Sequence, residues 1–299
     1  MSPLVWDHVG GPVVPFCTKK PFSLDKGCLL VKVESLIEVL VAGHLTSYVE
    51  TPFPQRGGIF IVAPPAALKS TFIKTALDPF PNSLVMSDIN VRTMMQLRDD
   101  FCSNRYTTLA FTAFEKIYQR QEVTSSNIEG HISAMVEEGF RRGSFEDQRM
   151  ILLEAHAFVV GGMIPALYRR KFTEWMESGF ARRFLWCHYN LQNPDLVVDA
   201  IHQWKLLELT NLAISGLPPG KIPFDVTESE SSHIRSSLKF QPGRETPFVL
   251  MKKILSVLKW RYRRKAKTPK EREDADRKAN LTLRDFGRSL GQKGDNLII

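Results

Sequence analysis

The chain has 299 residues, 43% of them hydrophobic and 24% charged, so disorder along its whole length is excluded. That length fits one large domain, or a core with a smaller appendage. The net charge of +8 is concentrated rather than spread: Lys252 to Lys278 holds twelve Lys/Arg against four Asp/Glu, and the rest of the chain balances. A local excess of this kind predicts an anionic partner rather than a merely solvated surface.

Residues 1–56 are rich in Pro and Gly, with one convincing helix near Val33 to Ala42, and read as an N-terminal extension. Within it, Cys28 to Gly43 carries Lys32, Glu34 and Glu38, so the stretch is an amphipathic helix and not a membrane span. Met1-Ser2-Pro3-Leu4 lacks the basic start and apolar core of a signal peptide, and the expected location is cytoplasmic, with no membrane contact. Cys17, Cys28, Cys102 and Cys187 form no C-x-x-C pair, so no zinc framework is expected and the thiols are expected reduced.

From Gly57 the pattern changes to short apolar runs alternating with helical periods. Strands are predicted at Gly58–Ala63, Ser83–Met86, Thr107–Thr112, His156–Val160 and Arg183–Tyr189. Helices are predicted from Ser70 to Leu77, from Val91 to Asp99, and from a capping box at Ser126–Glu129 to about Glu138. This alternation indicates an α/β core over residues 57–215 with a mainly parallel sheet, although it does not fix the strand order. Beyond Asn193 the reading is helical: Pro194–Leu212, Glu228–Leu238, Thr246–Lys265 and Thr282–Leu290. Gly216 to Gly220 breaks this run, and residues 216–299 are expected to form a small helical basic domain, of a size to suit a helix-turn-helix or winged-helix module.

The junction of the first core strand and helix carries the chemistry. Phosphate-binding loops join a strand to a helix so that backbone N–H groups and the helix N-terminus surround the phosphates. Their usual spacing is G-x-x-x-x-G-K-[ST]. Here Ala63-Pro64-Pro65-Ala66-Ala67-Leu68-Lys69-Ser70-Thr71 has the lysine and hydroxyls in place, with Ala63 and Leu68 standing where glycines are expected. Leucine at the second position is strained if the usual left-handed geometry is kept. Taken alone, the spacing is a weak match, and a loop and helix start with a solvated lysine is the favoured reading.

"GGIFIVAPPAALKST" from Gly57 to Thr71 resembles the strand and loop of P-loop ATPases of the RecA-like and AAA type encoded by bacteriophages and mobile elements. "TTLAFTAFEKIYQR" from Thr107 to Arg120 resembles the matching Walker B strand. "VVGGMIPALY" from Val159 to Tyr168 is similar to the sensor strand, and "SGFARRFLW" from Ser178 to Trp186 to the segment bearing trans-acting arginines. The resemblance covers about residues 57–190 and implies binding of ATP and Mg2+. In it Lys69 neutralises phosphate charge, Ser70 ligates the metal, Glu115 orients water, and Arg182 or Arg183 reaches a neighbour's site in a homo-oligomer such as a ring. It implies a motor or loader in phage-type DNA replication or recombination. The departures are a missing Walker B aspartate and the missing glycines, which favour the alternative of a catalytically silent nucleic-acid-binding or assembly protein. A DNA-packaging ATPase is a third reading. Asp88 is the alternative carboxylate and Thr112 a candidate for ordering a metal-bound water. Glu115 also reads as an ordinary solvated glutamate, and the arginine pairs Arg141-Arg142 and Arg182-Arg183 as salt-bridge formers. His156 reads as a core histidine.

The basic segment interleaves Trp260 and Tyr262 with cations. Lys259, Arg261, Arg263, Arg264, Lys265 and Lys267 are the expected contacts to DNA or RNA phosphates, with the aromatics either stacking on bases or anchoring the helix. A solvated basic helix, or a contact to a partner protein, is the competing reading.

Overall fold

The computed structural model describes residues 32–87, 91–103, 105–119, 122–146, 149–189, 194–208, 221–238 and 245–290. In chain order its elements are α1 (Val33–Leu45), β1 (Val49–Glu50), β2 (Gly58–Val62), α2 (Lys69–Leu77), β3 (Ser83–Met86), α3 (Val91–Cys102), β4 (Thr108–Phe111), α4 (Glu122–Val136), β5 (Phe140–Glu146), β6 (Arg149–Ala155) and β7 (Phe158–Met163). There follow α5 (Pro165–Glu177), β8 (Phe184–His188), α6 (Pro194–Glu208), β9 (Ile222–Pro223), α7 (Glu228–Ser237), α8 (Glu245–Arg263) and α9 (Pro269–Ser289). The fold is α/β, built on a five-stranded, all-parallel sheet in the order β3-β4-β7-β2-β8.

Strand residues alternate between two cores. Ile59 and Ile61 of β2, Val160 of β7 and Leu185 of β8 pack with α1, α2, α6, α8 and α9. Phe60 and Val62, with Val159 and Trp186, pack with α3, α4 and α5 on the other face. With both faces covered, β2 is buried at every position, which is why it reads as a continuous apolar run. The two glycines of β7 serve this packing. A Cβ on Gly161 would lie 2.0 Å from the Phe60 ring, and one on Gly162 would lie 3.1 Å from the Thr112 carbonyl oxygen and 3.3 Å from Lys69 Cβ.

Several expectations are corrected. Helix α1 is no extension: every residue from Ser35 to Leu45 is buried, and the helix packs against α2, α8 and α9. A helix enclosed on all sides carries apolar residues all round, and α1 does so apart from a few polar positions. Helices α7 to α9 share the core of the sheet's α1 face rather than having one of their own. The Ser126–Glu129 pattern lies inside α4, which starts at Glu122; Glu129 accepts hydrogen bonds from Tyr118 Oη and Trp175 Nε1 instead of capping. Thr282 likewise sits within α9, whose true start is a capping box of Thr268 and Glu271 ahead of Pro269. The antiparallel hairpin of β5 and β6, which contains Arg141 and Arg142, is a feature that the periodicity does not predict. Asp88, Cys17, Cys28 and the Gly216–Gly220 breaker lie outside the described residues; Cys102 and Cys187 are buried and form no disulfide. No helix among the described residues is long and apolar enough to cross a membrane.

Candidate functional site

The path of the chain selects one edge of the sheet. The connection leaving β2 runs through α2 on one face, whereas those leaving β4 and β7 run through α4 and α5 on the other. Between the carboxyl ends of the neighbouring strands β2 and β7 the chain therefore departs in opposite directions. Such a switch point opens a crevice where open α/β sheets bind ligands.

The loop Ala63–Leu68 lines this crevice. Ala63 N–H extends the ladder to Met163 O at 3.1 Å, and Ala67 N–H donates to Pro64 O at 3.3 Å. The second bond closes a turn with Pro65 and Ala66 at its centre. Proline fixes the first central position of a type II turn, and the next residue must have positive φ; Ala66 has φ 62°. Leu68 is also left-handed, with φ 57° and ψ 19°, immediately before the first residue of α2. The strain expected at Leu68 is thus present, and Ala66 adds a second instance. Each such non-glycine residue costs roughly 1–2 kcal/mol. Left- and right-handed residues in succession gather backbone N–H groups into a concavity suited to anions.

Lys69 opens α2 and is buried, at 8% exposure. Its Nζ donates to Ala63 O at 2.8 Å and Pro64 O at 2.7 Å, so it spans the mouth of its own loop with one of three N–H bonds still to place. Burial lowers its pKa, and the charge of Glu115 works against that shift. Ser70 Oγ donates to Thr112 O at 3.3 Å, and Thr112 Oγ1 donates to Met86 O at 3.3 Å, which joins the ends of β3 and β4 to the start of α2.

Glu115 sits in a short 3-10 helix, Phe114–Gln119, that follows β4 at the same edge. Its Oε2 is buried and has no hydrogen-bond partner. The structure thus brings together Ala63, Pro64, Pro65, Ala66, Ala67, Leu68, Lys69, Ser70, Thr71 and Glu115. His188 closes the β8 side of the edge, in register with Val62. Its ring lies 5.0 Å from that of Tyr168, and burial, aided by Arg169, pushes its pKa down to about 4.

Other expected site residues lie elsewhere. His156 is half-buried in the link between β6 and β7, at the opposite end of the sheet. Arg182 and Arg183 precede β8, also at that opposite end, and cannot serve the crevice of their own chain. Arg183 is held by Glu137 at 2.5 Å and donates to Gly179 O at 2.7 Å; Arg182 is exposed.

The basic helix α8 departs furthest from expectation. Arg261 is buried against Glu38 of α1, which also accepts from Trp204 Nε1 at 2.8 Å. Lys259 is 2% exposed and pairs with Glu230 at 2.7 Å. Arg263 makes a two-pronged pair with Asp276, both bonds 2.6 Å, and contacts Asp225. Lys259 and Arg261 are buried against carboxylates and are not placed to meet phosphates, and the half-buried Arg263 already holds two. Arg264, Lys265 and Lys267 lie exposed at the end of the helix. No protein-family model matches the chain, and no curated protein matches it.

Proposed function

We propose that this chain binds a magnesium-complexed nucleoside triphosphate, with ATP as the leading candidate, in the crevice between β2 and β7, and hydrolyses it as a nucleic-acid-associated motor or loader of the P-loop, RecA/AAA type. The observation that carries the reading is the loop itself: Ala66 and Leu68 hold left-handed backbone where glycine would be costless. Non-glycine strain of this kind persists where surrounding structure over-determines it, and it clusters at ligand clamps. The switch-point position and the lysine at the mouth of the loop support the same reading.

In this arrangement the third N–H of Lys69 and the loop N–H groups meet phosphate oxygens. The Ser70 hydroxyl, now bonded to Thr112 O, would be the side chain that holds the metal, which would supply charge to the phosphates. Glu115 Oε2, buried with no hydrogen-bond partner, is the acceptor that orients a water and takes its proton. ATP would supply the anhydride bond that is broken. Of the two candidate trans-acting arginines, Arg182 is the one exposed to a neighbouring subunit, since Arg183 is bound to Glu137. Contact to nucleic acid rests on Arg264, Lys265 and Lys267.

A second reading, a nucleotide-fold protein without turnover, is favoured by one observation: the sequence after β4 carries Glu115 with no acidic residue next to it. The experiment that separates the two is Mg2+-ATP binding and hydrolysis by wild type, Lys69→Ala and Glu115→Gln, with and without single- and double-stranded DNA. The motor reading expects Lys69→Ala to abolish binding, and Glu115→Gln to keep binding while slowing turnover by about 10²-fold or more. Binding without turnover in the wild type selects the silent protein. Neither binding nor turnover rejects both.

A further inference from the structure

Away from the crevice, a cavity of about 420 Å³ opens between α8, the first turns of α9 and the segment following β9. Its wall contains the Arg263 guanidinium, already bonded to Asp276 and Asp225, so those three groups form a compensated support rather than a ligand-seeking charge. The rest of the lining is different. Trp260 is only partly buried and lines the cavity, with the Arg264 guanidinium 5.0 Å from its ring centroid. Arg272 and Glu273, both exposed, line it from α9.

The lining itself balances three arginines against Asp225, Glu273 and Asp276, and the excess of cations lies in the α8–α9 turn that adjoins it. Arg264, Lys265, Lys267, Lys270 and Arg272 fall within nine residues and all are exposed. The one carboxylate among them, Glu271, accepts from the backbone N–H groups of Lys267 and Thr268 and so belongs to the cap of α9.

We infer that this cavity holds one nucleotide unit of a single strand, with the base against Trp260, its phosphate on Arg264 and Arg272, and an exocyclic amino group donating to Glu273. Each part of the lining has a use in that ligand. A bare anion would gain nothing from Trp260 and would be opposed by Glu273, and an apolar molecule would strand the charges. A planar ring with N–H donors and an attached phosphate satisfies all of them. The volume lies within the range of small-molecule sites. The cations continue past the cavity along the α8–α9 turn, where they would follow adjacent phosphates, so the source favoured is a strand rather than a free mononucleotide. The inference rests on the nucleic-acid part of the function proposed above, and not on ATP turnover.

The test uses the full chain carrying Lys69→Ala, so that the crevice does not contribute. Oligo-dC and oligo-dA of roughly ten nucleotides, within the span such sites cover, are titrated alongside CMP and AMP while tryptophan fluorescence is followed. The expected result is quenching by the oligonucleotides that vanishes in Trp260→Phe. Affinity should fall on the order of tenfold in the Arg264→Gln, Arg272→Gln double variant, with a salt dependence shallower by about 0.7 for each phosphate no longer neutralised. Mononucleotides binding as tightly, with the same dependence on the variants, would overturn the strand and assign the cavity to a free nucleotide. Binding unchanged in the double variant, or no binding at all, overturns the inference as a whole. The arginines are exposed, so their effect is readable even if Trp260→Phe disturbs the fold. ATP turnover failing in the wild type would leave this result intact.

Discussion

Lys69 and the lysines and arginines of α8 look alike in sequence, each a cation beside apolar residues, yet the molecule treats them in opposite ways. At the β2–β7 crevice the chain accepts two left-handed non-glycine residues and leaves Glu115 Oε2 without a partner. In α8 three cations are compensated by carboxylates: the buried Arg261 by Glu38, the buried Lys259 by Glu230, and the half-buried Arg263 by Asp225 and Asp276. Unrelieved strain beside an unpaired polar atom marks a place kept for something outside the chain, whereas compensated charge marks a place kept for folding. A cation's partners, not its presence in a basic run, decide whether it belongs to a site.

The largest effect should come from removing one half of a compensated pair. Glu38→Ala removes the carboxylate paired with the buried Arg261 and takes the acceptor from Trp204 Nε1. Deleting one partner of a buried pair costs about 3–5 kcal/mol. Chemical denaturation should show that drop, while any protein that remains folded should match wild type in the Mg2+-ATP binding proposed above. The double variant Glu38→Met, Arg261→Met should recover much of the stability. If Glu38→Ala is neutral, the buried ion pair is not part of what holds α1 to α8.

Lys253 is the exception within α8, and it makes the rule more exact. It is fully buried, and its Nζ donates to Phe53 O at 2.5 Å and Gln55 O at 2.6 Å on the segment leading into β2. Burial, and then the nearby Arg56, push its pKa down to about 7. The unfolded chain therefore holds more protons than the folded one between about pH 7 and the ordinary lysine value. Stability should rise with pH across that window, by up to a few kcal/mol. Lys253→Met should flatten the rise. Neutral imidazoles act on the acid side: burial holds His44 at about 3 and His188 at about 4. The unfolded chain takes up those protons first, so stability should fall as pH drops from about 6.5 toward 4. Thermal melts across pH 4–10 read both slopes.

How much of this is legible in the sequence depends on where each partner lies along the chain. The strand Ser83–Met86 and the helix Glu228–Ser237 are visible locally, since composition and capping residues suffice. Arg261 reads as solvent-facing because Glu38 lies 223 residues away, and no local pattern joins them. Strand order is hidden for the same reason, being set by which faces the connecting helices cover. The β5–β6 hairpin escapes notice because its strands carry charges that blur the alternation. The crevice is legible only as a lysine and hydroxyls at a strand-to-helix junction. Its left-handed alanine cannot be read from residue type, since alanine seldom adopts that backbone.

That alanine provides the smallest and most discriminating test of the comparison. Ala66 is exposed, so replacing it changes little packing. Ala66→Gly removes the steric cost of φ 62°, roughly 1–2 kcal/mol, and adds back about half of that as chain entropy in the unfolded state. The net expectation is a gain of about 0.5–1 kcal/mol in stability, measured by denaturant midpoint. If the loop is shaped for a ligand, nucleotide affinity should hold or improve, because glycine keeps the left-handed turn that the Ala67-to-Pro64 bond closes. A stability gain accompanied by weaker affinity would mean that the alanine's rigidity, and not the shape of the turn, is what binding needs. No gain in stability would mean that the turn is not strained, and the contrast with α8 would then rest on Glu115 and Lys69 alone.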